Sequence, residues 1–239
     1  MKIGSRWVEI TTRIGCSNMC HYCPQDLLLS KYVGEKIMSF DCFLKILSNI
    51  DKSVQIHFSG FAESLLTKNA EHMMLEAFRQ GYEVVLFSTL VGFSKEKADF
   101  LQCNGMKFYS ARIHEYPFPH QKDKEEFHAN VDLFRKANLV DFLEVEEVNS
   151  AASRGSSLFD IQYKSGRVQC NRFSCNVVVP NGDLYLCCSD WGLKHKLGNL
   201  KDSSYYSQEI EASRNNIKNL AEQQDSDLLC RKCEWAQRV

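Results

Sequence analysis

Cys16, Cys20 and Cys23 lie in the stretch Gly-Cys-Ser-Asn-Met-Cys-His-Tyr-Cys-Pro at 15–24, directly after a strand-like run at 7–12. The C-x3-C-x2-C spacing makes one short loop present three thiols together, so whatever the chain folds into must leave that loop at a strand end. An iron–sulfur cubane has four irons, normally held by four thiolates. Three thiolates from one loop leave the fourth iron open to a ligand that is not protein, and such a ligand can receive an electron directly from the cluster. Structural zinc usually takes close cysteine pairs with a fourth Cys or His further along. Here the first gap is three residues and His21 falls between two of the cysteines, which favours the cluster. A disulfide framework would need an oxidising compartment, and nothing in the sequence supplies one.

With 239 residues the chain can bury a full core, and its length suits one domain with an appendage. A net charge of −1 gives no pointer to nucleic acid or membrane. The start, Met-Lys-Ile-Gly-Ser-Arg-Trp, lacks the apolar run of a signal peptide, and there is no apolar span of membrane-crossing length. A cytoplasmic protein is expected. In a reducing compartment eleven cysteines imply metal or redox chemistry, and their clustering agrees: three crowd 16–23 and six lie between 170 and 233.

Up to about residue 150, strand and helix signals alternate as in a parallel βα sheet. Strands are expected at 7–12, 55–59, 83–88, 106–113 and 141–148. Helices are expected after Ser39 as N-cap, and over 69–80 with Gly81 as the stop, 94–102 and 123–137. In such folds chemistry gathers at the C-terminal strand ends, where the cysteine loop falls. Beyond residue 150 a Ser/Ala/Gly-rich linker leads to a short possible strand at 158–163. A hairpin over 177–186 then turns on Asn181-Gly182. A charged, amidic helix at 208–224 precedes the terminal Cys230-Arg-Lys-Cys233.

The triad, with Tyr22 just before its last cysteine, resembles that of the radical SAM enzymes. A second segment, Phe-Ser-Gly-Phe-Ala-Glu-Ser at 58–64, is similar to the family's Gly-Gly-Glu-Pro motif, whose backbone receives the amino group of S-adenosylmethionine; Ser64 stands in place of the usual proline. The third strand ends in Phe-Ser-Thr-Leu at 87–90, where the family often contacts the ribose. The resemblance implies an α/β fold: a partial (β/α)6 barrel over 1–155 and a small C-terminal auxiliary-cluster domain over 156–239. It implies S-adenosylmethionine on a [4Fe–4S] cluster held by Cys16, Cys20 and Cys23, with Tyr22, Ser59, Gly60, Glu63 and Ser88 as cofactor-binding residues. Reduction would then give a 5′-deoxyadenosyl radical that abstracts hydrogen from an unactivated C–H bond. A flavodoxin- or ferredoxin-type protein is the expected reductant.

Cys170, Cys175, Cys187, Cys188, Cys230 and Cys233 resemble the auxiliary-cluster region of the SPASM and twitch branches. Six cysteines suit one auxiliary [4Fe–4S] cluster, for which Cys170, Cys187, Cys230 and Cys233 are the chosen ligands and Cys175 and Cys188 the substitutes. A zinc site built from the same residues remains open. Arg154, near the junction, is expected to reach the active site by this resemblance. His114 and Glu115, ending the fourth strand, are candidates to orient substrate hydroxyls or act as a base.

A start within six residues of the first strand leaves no room for the N-terminal peptide-binding domain of many peptide-modifying members. The short, single-cluster chain resembles instead the compact deoxy-scyllo-inosamine dehydrogenase type. The expected substrate is thus a small polyol, sugar or aminocyclitol, oxidised to a ketone or, if a spare thiol such as Cys175 or Cys188 returns hydrogen, epimerised. Peptide or protein modification is the alternative, and a non-enzymatic iron–sulfur or zinc protein a further one.

Overall fold

A computed structural model describes residues 6–18, 20, 22–116, 120–147 and 153–239. Five parallel strands form its N-terminal part: β1 (Trp7–Ile10), β2 (Gln55–Phe58), β3 (Val84–Ser88), β4 (Ser110–Glu115) and β5 (Leu143–Glu147). Helices separate them: α1 (Gln25–Lys31), α2 (Phe40–Ser48), α3 (Ala70–Arg79), α4 (Lys95–Cys103) and α5 (Gln121–Lys136). Ser39 caps α2 as expected, its side chain accepting from the Cys42 N–H, and Ser94 caps α4 in the same way. Helix α1 carries no long periodic face, only Leu28 being buried, and is not among the helices expected from the pattern.

Alternate strand positions explain the layers. Val8 and Ile10, Ile56 and Phe58, Val84 and Leu86, Ala111 and Ile113 are all buried in one core with Phe43, Ile46 and Leu47 of α2 and Met73 and Met74 of α3. Residues of opposite parity, Glu9, His57, Phe87, Arg112 and His114, turn to the other, inner face. There Trp7 stacks on His57 at 5.1 Å, His57 meets Phe87 at 5.6 Å, and Phe87 meets His114 at 5.9 Å.

The C-terminal part holds β6 (Val168–Gln169), β7 (Cys175–Val178), β8 (Asp183–Tyr185), β9 (Lys196–Asn199), α6 (Gln208–Glu222) and β10 (Gln237–Arg238). The expected hairpin is β7–β8: Asn181 Oδ1 accepts from the Asp183 N–H, and Gly182 takes φ +88°. No strand forms at 158–163, where the chain follows a turn stabilised by Ser157 and Leu158 N–H groups donating to the Ser153 carbonyl. The first three residues of the expected linker, 150–152, lie outside the described residues.

The sheet crosses the boundary placed at 155/156. Strand β7 pairs in parallel with β1, Trp7 opposite Cys175 through Ile10 opposite Val178, and the order runs β5-β4-β3-β2-β1-β7-β8-β9. The sixth parallel strand is therefore supplied by the C-terminal part. Helix α6 is tied to it by buried polar groups: Asn176 donates to the Leu186 carbonyl and accepts from Tyr205 Oη at 2.8 Å and Arg214 Nη2 at 3.3 Å.

Arg231, between the last two cysteines, is completely buried. Its guanidinium donates to the carbonyls of Lys164, Gly166, Leu220 and Gln223 and to Ser226 Oγ. Leu220 and Gln223 belong to the end of α6, where a cation also meets the negative pole of the helix. Replacing Arg231 by Met should leave these acceptors without a donor and cost about 3 kcal/mol or more. Thermal denaturation of the variant checks this; an unchanged midpoint would remove Arg231 from the account of the domain's stability.

Candidate active site and metal centres

The three-cysteine loop leaves β1 and is fixed by its neighbours. Arg13 donates through Nε to the Gly15 carbonyl and through Nη1 to the Leu66 carbonyl, both at 2.9 Å. Asn18 Nδ2 donates to Thr89 Oγ1 at 2.7 Å, tying the loop to the end of β3. Cys16 Sγ accepts backbone N–H groups of Asn18 and Glu63. Cys20 accepts from the Cys23 thiol, which holds Cys20 at about 7 and pushes Cys23 up; Tyr22 adds a second donor to Cys20. A thiolate met by backbone and side-chain donors is what an iron–sulfur centre takes as ligand. Met19 and His21 lie outside the described residues.

The second motif folds against this loop. Gly60 sits at φ +93°, and a Cβ there would come within 2.2 Å of Thr11 Oγ1. That same hydroxyl accepts the Phe61 N–H at 3.2 Å, so the glycine lets the segment close onto β1. Glu63 is buried, and burial raises its carboxyl pKa against four donors. Those donors are Leu65 N–H, Ser88 Oγ, Thr89 N–H and Thr89 Oγ1, at 2.6–3.1 Å. The Glu63 carboxylate is thus saturated by protein, and the buried Ser88 hydroxyl is spent on it. Both side chains hold the segment's shape. Ser59 Oγ donates to Glu9 Oε2 at 3.0 Å.

On the inner face, His114 lies 3.2 Å from Glu146 Oε1, and Arg112 Nε donates to Glu144 at 2.9 Å. Burial lowers the His114 pKa, with Glu146 opposing the shift. Glu115 alternates to the face carrying Ala111 and Ile113, away from His114. Arg154 donates through Nε to the Tyr22 carbonyl at 3.2 Å, so the structure brings it to the cysteine loop. Its backbone is left-handed, φ +51°, which is uncommon for a residue with a side chain.

All six C-terminal cysteines line one small cavity, together with Glu9, Arg172 and Trp235. Within it Cys230 neighbours Cys170, Cys233 and Cys187; Cys188 and Cys175 neighbour Glu9 and Arg172, with Cys188 also beside Cys187 and Cys175 beside Cys170. Burial pushes all six thiols up. Such a cradle holds neutral thiols until a metal centre deprotonates them. Among the described residues no three His, Cys, Asp or Glu side chains close on a point as one metal ion demands. A cubane takes its thiolates on separate irons and accepts a wider set. His195 supports the last two cysteines: Nε2 accepts the Leu229 N–H at 3.0 Å, and Asp190 holds the His195 N–H.

Glu9, His57, Arg112, Glu144 and Glu146 escaped the sequence reading. The signal was present: a polar residue between two apolar ones in strands otherwise buried, as in Val8-Glu9-Ile10 and Ile56-His57-Phe58. Two outcomes follow. Gly60→Ala should weaken S-adenosylmethionine binding at least about tenfold, about 1.4 kcal/mol, with iron content kept; calorimetry on the reconstituted protein reads it. Burial lowers the His57 pKa to about 3 from 6.5. The folded state therefore refuses a proton that the unfolded chain accepts, and stability held above pH 6.5 is lost as pH falls below it. Between pH 6.5 and 5 the loss should be about 2 kcal/mol, and denaturant titrations of His57→Phe should show it abolished.

Residues 170–234 match the family model of SPASM, an iron–sulfur cluster-binding domain. No curated protein matches the chain in sequence. Among solved structures, BtrN in complex with AdoMet and 2-DOIA superposes with a TM-score of 0.71 at 17% identity, over 100% of this chain and 95% of that one. A histidine-tagged anSMEcpe with bound AdoMet superposes at 0.55 and 14% identity, over 96% and 84%. Those likenesses establish the fold, a partial barrel with a twitch-type C-terminal domain. No helix among the described residues is long and apolar enough to cross a membrane. The chain thus carries a SPASM-type iron–sulfur cluster-binding domain at 170–234, on the fold it shares with those structures and with the three-cysteine loop at the end of β1.

Proposed function

We propose that the chain oxidises or epimerises a carbinol carbon in a small polyol, sugar or aminocyclitol. The observation that carries this reading is the inner face of the sheet. Glu9, His57, Arg112, His114, Glu144 and Glu146 line it from β1 to β5, a set of donors and acceptors suited to hydroxyls and ammonium groups. The fold shared with BtrN, whose structure holds AdoMet and 2-DOIA, supports the same direction.

Cys16, Cys20 and Cys23 would hold the first cluster, and Cys170, Cys187, Cys230 and Cys233 the second. When bound, the first supplies reductive cleavage of S-adenosylmethionine to a hydrogen-abstracting 5′-deoxyadenosyl radical, and the second an acceptor for the other electron of an alcohol oxidation. The Gly60 segment and Tyr22 position the cofactor. A neutral His114 that donates Nε2–H to Glu146 keeps its lone pair on Nδ1, the form that takes a hydroxyl proton. Arg154, anchored on the Tyr22 carbonyl, orients a substrate oxygen beside the cofactor loop. A flavodoxin-type protein would deliver the electrons.

The test is anaerobic reconstitution followed by dithionite, S-adenosylmethionine and a panel of aminocyclitols, sugars and short peptides. About eight irons per chain and 5′-deoxyadenosine formation stimulated by a polyhydroxylated compound are expected. The Cys16→Ala, Cys20→Ala, Cys23→Ala triple variant should keep about four irons and cleave no S-adenosylmethionine. Stimulation by peptides alone would overturn the substrate class, and cleavage by the triple variant would overturn the triad.

A further inference from the structure

Trp191 follows the turn that carries Cys187 and Cys188, yet its indole packs toward the other group of cysteines. The ring is 2% exposed and meets Phe61 of the 58–64 segment edge-on at 4.9 Å. Around both lies an apolar cluster separate from the main core. In it Ile14, Leu28 and Tyr32 of the N-terminal part meet Val177, Val179 and Tyr185 of the β7–β8 hairpin. Cys23, the last cysteine of the triad, packs against this cluster. The C-terminal part thus contributes one large side chain to the packing of the three-cysteine loop.

The indole brings a polar atom that this apolar setting does not satisfy. Among the described residues Trp191 Nε1 is buried with no hydrogen-bond partner. A buried indole N–H usually finds an acceptor. Gln25, two residues after Cys23, donates Nε2 to the Phe61 carbonyl at 2.6 Å, and its Oε1 is likewise buried without a partner, so the amide does not take the indole hydrogen. Metal loading supplies an acceptor. Cys23 as a thiol donates to Cys20; as an iron ligand it becomes a thiolate, which accepts.

We infer that the Trp191 indole N–H donates to the Cys23 sulfur of the first cluster, and that this bond sets the cluster's reduction potential from the C-terminal part of the chain. The inference rests on the reading above, in which Cys16, Cys20 and Cys23 hold a [4Fe–4S] cluster that cleaves S-adenosylmethionine. An N–H···S bond draws electron density from the sulfur. It stabilises the more negative, reduced state over the oxidised one, so the potential is higher with the bond than without it. Trp191 acts through the ligand sulfur and is a positioning residue.

The experiment is an anaerobic redox titration of the reconstituted full chain, read by electron paramagnetic resonance, on the unaltered protein and on Trp191→Phe. The first cluster is recognised by the change of its signal on adding S-adenosylmethionine. Phenylalanine keeps a ring against Phe61 and removes the N–H. Iron should stay at about eight per chain. The equilibrium constant for one-electron reduction of the first cluster should fall about tenfold, a potential lower by about 59 mV. An unchanged potential at full iron overturns the inference. If the variant loses iron, the unaltered chain labelled with 15N at its indole nitrogens decides. A 15N coupling is expected at the S-adenosylmethionine-responsive cluster, because Trp7 Nε1 donates to Glu9 and Trp235 lines the other cavity. Absence of that coupling overturns the inference. If no signal of the unaltered chain responds to S-adenosylmethionine, the reading of the triad fails and the inference with it; a responsive cluster that shows neither effect sinks the inference alone.

Discussion

The ladder between β1 and β7 is the contact on which everything else is arranged. Strand β1 carries the triad loop at its end, Glu9 at its middle, and β2 on one side. On its other side lies a strand whose first residue is Cys175. Main-chain hydrogen bonds therefore fix the cavity of the C-terminal cysteines relative to the three-cysteine loop, and the two cysteine groups share one sheet. A linker-tethered domain would have to find its position by side-chain packing alone. Here even the side-chain layer continues across the junction: Trp191, just past the Cys187–Cys188 pair, packs edge-on against Phe61 of the cofactor segment at 4.9 Å.

That ladder also marks where sequence reading ends. The five barrel strands and most helices were legible because each carries its own local signal: a buried apolar run, a serine cap, a glycine stop. The β7–β8 hairpin was legible through Asn181-Gly182. The partner of β7 was not, since parallel pairing across some 165 residues leaves no local mark. Helix α1 escaped for a similar reason; it is short and wedged behind Pro24, and it buries one leucine. The apparent strand at 158–163 has β-forming residues but no neighbour to pair with.

The site divides along the same line. Cysteine spacing carried the metal chemistry, since ligand geometry dictates sequence intervals. The family-like segment at 58–64 suggested a cofactor-binding stretch, but not how that stretch is held. Glu63 and Ser88 turn out to spend their side chains on each other and on Thr89, so their contribution is the shape of a backbone. The inner-face groups are spread one or two at a time over four strands, and only the alternation of the sheet gathers them.

Arg231 has a consequence beyond holding backbone together. Among the described residues its guanidinium meets only neutral oxygens, with no carboxylate to balance its charge. One residue away, Cys230 begins the pair that would bind metal. The carbonyls at the end of α6 offset part of that charge, and four thiolates on an iron–sulfur core at the neighbouring cysteines would add negative charge. Loading the centre would then lower the cost of keeping this cation buried.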